Sequence, residues 1–337
     1  MDEGVSMFTI AVAGHVCADL IPELGSGTEV APGQLLEIGP LRIEPGGCVA
    51  NTGSVLTALG VPVTISSSVG DDYLGRIVRD ALTARGLDTR GLAVTAAAGT
   101  SYSIVVERPG MNRSFWHHVG ANAAFDGSEV VLDGSDLLHI GYPPLLPALV
   151  ADEGAPLVAL LSRARALGVS TSVDMAVVDH DSAAGRVNWS ALLRRTLPLT
   201  DIFSPSIDDL ASALRLGRTL TPQQISDLGA ELVAQGAAIV VLSAGADGLF
   251  LRTGSADRLA AGGRIVRALP AEWAAVERWM PALPLDHVVT TNGAGDAASA
   301  GLLHAVASGL LPDSALSHAA AVAAARIRGD DVSSVTI

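Results

Sequence analysis

Short runs of apolar, β-branched and small residues that stop at a turn residue recur along this chain, with helix-periodic segments between them. The runs are 8–13, 63–69, 137–140, 169–173, 201–203, 238–242 and 287–289. Segments 49–59, 74–84, 156–167, 207–214, 222–235 and 296–308 lie between or after them and carry apolar residues at helical spacing. A strand that is apolar throughout must be covered on both faces, and a helix between two strands makes them parallel. The pattern therefore predicts an α/β fold: a doubly wound, mostly parallel sheet between helices. Two stretches break it. Residues 28–45 and 93–118 read as strand pairs with turns at Pro32-Gly33 and Pro109-Gly110. They are expected to build a small projecting β-sheet lid, drawn from about 16–45 and 93–122, on a chain that otherwise forms a single domain over 1–337.

Composition narrows the chemistry. Of 337 residues, 49% are hydrophobic and 17% charged, as in packed globular proteins. All 21 basic residues are arginine. Without lysine there is no Schiff-base aldolase or pyridoxal enzyme, no Walker-A lysine and no protein-kinase β3 lysine. A phosphate here must be met by arginine, metal or backbone amides. The net charge of −14 opposes a nucleic-acid partner. Two cysteines, Cys17 and Cys48, are too few for a disulfide framework or the usual structural zinc site. The acidic start lacks the basic region of a secretory signal, and no 18-residue apolar run offers a membrane span. The expected setting is the cytoplasm, without a membrane partner.

The most informative segment is 288–303, VVTTNGAGDAASAGLL. It reads as a buried strand running through Thr290, Thr291 and Asn292 into Gly293-Ala294-Gly295-Asp296 and then a helix of small residues. Unobstructed N–H groups at such a helix start, with the helix dipole, make an anion site that needs no lysine. Asp296, in the first turn, is either a dipole partner or a base beside that anion site. Two further elements lie upstream. Gly46 and Gly47 precede a helix that carries Asn51, a donor and acceptor one turn in. Asp19 follows the first strand, at the sheet edge where ligands of open α/β sheets gather, placed to accept hydrogen bonds from a polyol.

In order and spacing these elements resemble the ribokinase-like (PfkB) carbohydrate kinase family. Its early G-x(4)-D reads here Gly14 to Asp19, its G-G-x(3)-N reads Gly46 to Asn51, and its T-x-G-A-G-D reads Thr291 to Asp296. Val69-Gly70-Asp71-Asp72 with Gly75, the run Gly120-Ala121-Asn122, and Ser243 with Gly245 and Gly248 match further family segments. The resemblance spans about 8–328. It implies an ATP-dependent kinase acting with Mg2+ on a primary hydroxyl of a small sugar, of ribokinase or fructokinase type, with a lid closing over the acceptor and homodimers formed through the lids. It implies that Asp296 is the base and that Gly293, Ala294, Gly295 and the Asp296 amide form the anion hole. Asp19, Gly46, Gly47, Asn51 and Asn122 would hold sugar hydroxyls. Ser206, Ser243, Gly245, Gly248, Thr291 and Asn292 would lie along the nucleotide.

Three positions depart from the family pattern. The N-x-x-E that organises magnesium reads Ser206-Ile207-Asp208-Asp209, leaving Asp208 or Asp209 for the metal. Thr290 stands where members that bind a monovalent cation carry an aspartate, which puts K+ activation in question. Asp174 ends a strand where the family shows D-x-N-x-R, without the asparagine or arginine, and is either a sugar ligand or a strand-end carboxylate. In the second lid stretch, adjacent His117 and His118 point to opposite strand faces, so one of them can look into the cleft. Arg113 is the nearest added positive contact, and the other histidines carry no assigned role. Two rivals stand beside a sugar kinase. A nucleoside kinase would use Phe115-Trp116 against a purine, and a sugar-binding regulator would have lost catalysis through the Ser206, Asp209 and Thr290 changes.

Overall fold

The computed structural model describes residues 8–25, 32–106, 114–217 and 219–337. In chain order the strands are β1 (Ile10–Gly14), β2 (Cys17–Pro22), β3 (Leu41–Gly46), β4 (Val63–Gly70), β5 (Leu92–Thr95), β6 (Tyr102–Val106), β7 (Ser114–His118), β8 (Leu137–Gly141), β9 (Ser170–Asp174), β10 (Ile202–Phe203), β11 (Ile239–Ser243), β12 (Leu249–Thr253) and β13 (Glu277–Met280). The helices are α1 (Cys48–Ala58), α2 (Tyr73–Ala84), α3 (Ala151–Ala166), α4 (Trp189–Thr196), α5 (Ile207–Leu214), α6 (Pro222–Ala234), α7 (Ala256–Ala260), α8 (Ala294–Ala307) and α9 (Pro312–Arg328).

Apart from 287–289, the recurring runs pair as parallel strands of one large sheet. The large sheet has the order β13-β12-β11-β10-β9-β8-β1-β4-β5, parallel from β11 to β5, with β12 and β13 added antiparallel at one edge. Successive side chains of a strand face opposite sides, and β1 divides accordingly. Ile10 and Val12 enter a core shared with α1, α8 and α9, while Ala11 and Ala13 enter one shared with α3, α4, α5 and α6. Both faces are thus covered, and the strand ends at Gly14, Gly141 and Asp174 open onto one edge of the sheet.

The second sheet has the order β3-β2-β6-β7. β2–β3 and β6–β7 are antiparallel pairs, and β2 joins β6 in parallel. This is the projecting lid, but its membership differs from expectation in two ways. Residues 92–95 leave the lid and extend the large sheet, because Asp88 caps the turn at Thr89–Gly91 and delivers β5 in parallel register against Ser67 to Gly70 of β4. β3 finds its partner in β2, not in the segment before Pro32-Gly33, where residues 26–31 lie outside the described residues. The expected turn at Pro109-Gly110 and the contact at Arg113 also lie outside them.

The run 287–289 is not a strand. Val288 and Val289 are 60% and 66% exposed, and the amides of Val289 and Thr290 share one acceptor, the Ile327 carbonyl near the end of α9. The helix carbonyl satisfies them, so no strand neighbour is needed. The segment entering α8 is therefore a rim and not a buried strand. No described helix is long and apolar enough to cross a membrane.

Candidate active site

Between the open edge of the large sheet and the lid lies a continuous cleft of ≈ 2160 Å3. The left-handed residue Gly293 (φ 75°) turns the chain into α8, and no side chain caps that helix. A Cβ on Gly295 would meet nothing within 4 Å, so the first turn faces open space. Its amides and the dipole point into the cleft.

Asp296, on the inner side of that turn, is 3% exposed. Three donors hold its carboxylate. Thr52 Oγ1 donates to Oδ1 at 3.0 Å, while Asn51 Nδ2 at 3.0 Å and the Tyr142 hydroxyl at 2.7 Å both donate to Oδ2. Burial pushes its pKa up, and Tyr142, Asn51, Thr52 and then the Arg326 guanidinium pull it back. Arg326 Nε also donates to the Asn292 carbonyl at 3.1 Å, tying α9 to the turn before α8.

Asp19, on β2 of the lid, accepts from Cys17 Sγ at 3.3 Å and from Asn292 Nδ2 at 3.3 Å. Burial raises its pKa and these two bonds oppose the rise. Asn292 therefore joins the lid to the α8 turn. Gly46 lies behind Asp19 and not on the cleft wall. A Cβ there would come within 2.4 Å of the Asp19 carboxylate, so glycine is what allows that carboxylate its place. Gly47 (φ 85°) caps α1, and a Cβ on it would strike the His15 ring and backbone.

A second acidic wall follows at the ends of β9 and β10. Burial, then Asp209 and Asp296, pushes Asp174 well up. Burial takes Asp209 to about 6. Ser206 and Asp209 form a reciprocal capping box on α5, with Asp209 Oδ2 accepting from the Ser206 amide at 2.9 Å and Ser206 Oγ from the Asp209 amide at 3.1 Å. The Ser206 hydroxyl is thus spent on the helix, while exposed Asp208 faces the cleft. Ser243, Gly245 and Gly248 line the far end, where Gly248 (φ 96°) lets the chain pass the Met280 carbonyl.

Of the residues expected from sequence, Asp19, Gly47, Asn51, Asp174, Thr291, Asn292 and the Gly293-Ala294-Gly295-Asp296 turn meet in this cleft with the Ser206–Asp209 and Ser243–Gly248 walls. Asn122 does not. It is fully buried, its amide donating to the Val16 carbonyl at 2.6 Å and accepting from Ser67 at 3.3 Å, so it ties the β1–β2 connection to β4 and does not line the cleft. Of the histidine pair, His117 faces inward, with Nδ1 3.0 Å from Ser103 Oγ, and His118 stacks outward on Tyr102.

Sequence reasoning passed over Tyr142, Thr52, Arg326 and His15. His15 is buried, 5.0 Å from the His117 ring. Ser101 Oγ donates to the His118 carbonyl at 2.9 Å and lies 3.4 Å from His15 Nε2, while His15 Nδ1 is buried without a hydrogen-bond partner among the described residues. Only the identity of β1 as a strand end pointed to His15. Tyr142 and Arg326 are brought in from 154 and 30 positions away along the chain, and no local signal marks them.

Comparison with known proteins bears on the family and the fold. A curated 1-phosphofructokinase of Rhodobacter capsulatus is 28% identical over 273 residues, 80% of this chain and 75% of that protein. Arabidopsis thaliana ribokinase, solved with ribose and ATP, superposes with a TM-score of 0.70 at 19% identity over 96% of this chain and 94% of that one. Burkholderia thailandensis nucleoside kinase with inosine gives 0.67 at 17% identity, over 97% and 93%. Residues 7–335 match the pfkB family carbohydrate kinase description, and with the alcohol-phosphorylating chemistry of that family the chain belongs to it.

Proposed function

We propose that this chain transfers the terminal phosphoryl of ATP to a primary hydroxyl of a small sugar, with Asp296 as the base. The observation that carries the reading is Asp296 buried in the first turn of an uncapped helix that opens into the cleft. Asp19, Gly47 and Asn51 bind the sugar, and Ser243, Gly245, Gly248, Thr291 and Asn292 lie along the nucleotide. The acceptor oxygen attacks the phosphorus as its proton passes to Asp296, and the bond to the bridging oxygen of ADP breaks. Backbone amides of Gly293-Ala294-Gly295-Asp296 offset the charge on the transferred group, the part that preorganised donors play best.

Among the described residues no three His, Cys, Asp or Glu side chains form a ready-made metal site. Mg2+ bound through phosphates and waters needs few protein ligands. The Asp208 and Asp209 pair fits that need, one exposed to the cleft and one buried with a carboxyl oxygen outside its capping bond. When bound there, Mg2+ neutralises phosphate charge.

A nucleoside acceptor is the second reading, favoured by Phe115 and His117 on the lid side of the cleft. An ADP-release screen over ribose, fructose, fructose 1-phosphate, ketodeoxy-sugar acids and nucleosides, with and without K+, decides. Turnover with a sugar is expected, and preference for adenosine over every sugar replaces it with the second reading. Sugar binding in calorimetry with no ATP turnover overturns both. Phe115 and Trp116 on edge strand β7 are 48% and 60% exposed, which favours pairing of two lids in a homodimer. A monomer in light scattering overturns that.

A further inference from the structure

Tyr142 is a non-glycine residue in left-handed backbone, φ 63° and ψ 64°. It lies between the end of β8 and Pro143-Pro144, and such strain persists where the surroundings hold it and often where function needs it. Its phenol lines the cleft and donates to Asp296 Oδ2. An ionised carboxylate offers about four lone-pair directions. Among the described residues, Asn51 and Tyr142 fill both on Oδ2 and Thr52 fills one on Oδ1.

We infer that Tyr142 is a positioning residue for Asp296: its phenol closes Oδ2 and leaves one direction on Oδ1 from which an acceptor hydroxyl is met. The inference rests on the reading of Asp296 as base. The same bond serves a second end, since a donor on a carboxylate favours its ionised form. Asp296 needs that help. Facing it among the described residues are the carboxyls of Asp19 on β2, Asp174 on β9 and Asp209 on α5 and the thiols of Cys17 and Cys48, with the Arg326 guanidinium of α9 acting in the opposite sense. Burial, then the carboxylates of Asp296 and Asp174, push the Tyr142 phenol well up and keep it a donor.

The test is the titration of the Asp296 carboxyl carbon by NMR in 13C-aspartate-labelled protein, its resonance assigned by its loss in Asp296→Asn. Tyr142→Phe removes only the hydroxyl and is expected to raise the midpoint by about one pH unit. With fructose as acceptor, or the sugar turned over in the screen, the ratio of wild-type to variant kcat/KM is expected to grow toward acid pH by about tenfold. A midpoint that does not move, or a ratio equal at every pH, overturns the role of Tyr142. Should the phenylalanine variant fail to fold, 3-fluorotyrosine at 142, a stronger donor, must lower the midpoint, and no shift overturns the role equally. Wild-type turnover by Asp296→Asn sinks the base reading. A dead Asp296→Asn with an unmoved midpoint in Tyr142→Phe sinks the tyrosine alone.

Discussion

Gly295→Ala separates stability from activity at a single atom. Gly295 is the second residue of α8, exposed, in ordinary helical backbone, and the added Cβ meets nothing within 4 Å. The fold has no reason to object. Alanine in place of glycine favours a helix by up to about 1 kcal/mol, about 1–3 °C in Tm. The methyl enters the space over the first-turn amides, where the proposed mechanism places the transferred phosphoryl. Displacing a reacting group by about 1 Å costs on the order of 100-fold, and losing one oxyanion donor costs about 100- to 1000-fold in kcat. The variant is therefore expected to melt at or slightly above wild type while kcat falls about 100-fold. Gly293→Ala is the control. At φ 75° alanine costs about 1–2 kcal/mol, so stability and activity fall together. ADP release at saturating ATP, with thermal unfolding of the same samples, reads both. A Gly295→Ala protein with kcat within about threefold of wild type refutes the placement of the phosphoryl on this helix end.

Away from the cleft, fully buried Asp201 accepts from Arg165 and Arg258 at 3.1 Å each and from the Thr171 and Gly263 amides at 3.1 and 2.9 Å, joining α3, α7 and β9. Asp201→Ala strands these donors and is expected to destabilise by about 3–5 kcal/mol in urea unfolding, with a smaller loss for Asp201→Asn; a loss below about 1 kcal/mol contradicts the hub. His139 is buried with its pKa pushed down from 6.5 to about 3. The unfolded chain takes up a proton below about pH 6.5 and the fold does not, so stability is full above that pH and falls toward about pH 4.5, by about 3 kcal/mol for this residue. The raised carboxyls of Asp174 and Asp209 act in the opposite sense. The histidine part is thus read as the difference between wild type and His139→Leu, and parallel pH curves for the two refute it.

Much of this architecture could be read in advance because buried parallel strands announce themselves. Each of the runs around 10–14, 63–70, 137–141, 170–174 and 239–243 lies in the interior of the large sheet, where both faces demand apolar residues. The same rule fails at the rim. Val288-Val289 is as apolar as a strand yet lies exposed at the cleft mouth, and a short run carries no mark of which surface covers it. β12 and β13 escaped notice because Gly248, Gly254 and charged Arg252, Glu277 and Arg278 interrupt their pattern. In the site, residues inside motifs were legible because glycine, asparagine and aspartate at fixed spacing serve backbone approach and hydrogen bonding. Asn122 could not be placed in advance because an asparagine looks the same in sequence whether its amide faces the cleft or, as here, Val16 and Ser67. Tyr142 was invisible because its partner is 154 positions away and only the fold brings the end of β8 to the start of α8.

The base role proposed for Asp296 is tested most directly by removing its basicity alone. Asp296→Asn keeps the shape of the side chain and removes its basicity. Measured as ADP release with the sugar accepted by wild type, alongside thermal unfolding and ATP binding, it is expected to lose at least about 1000-fold in kcat with fold and nucleotide affinity retained. Turnover within about tenfold of wild type contradicts the account.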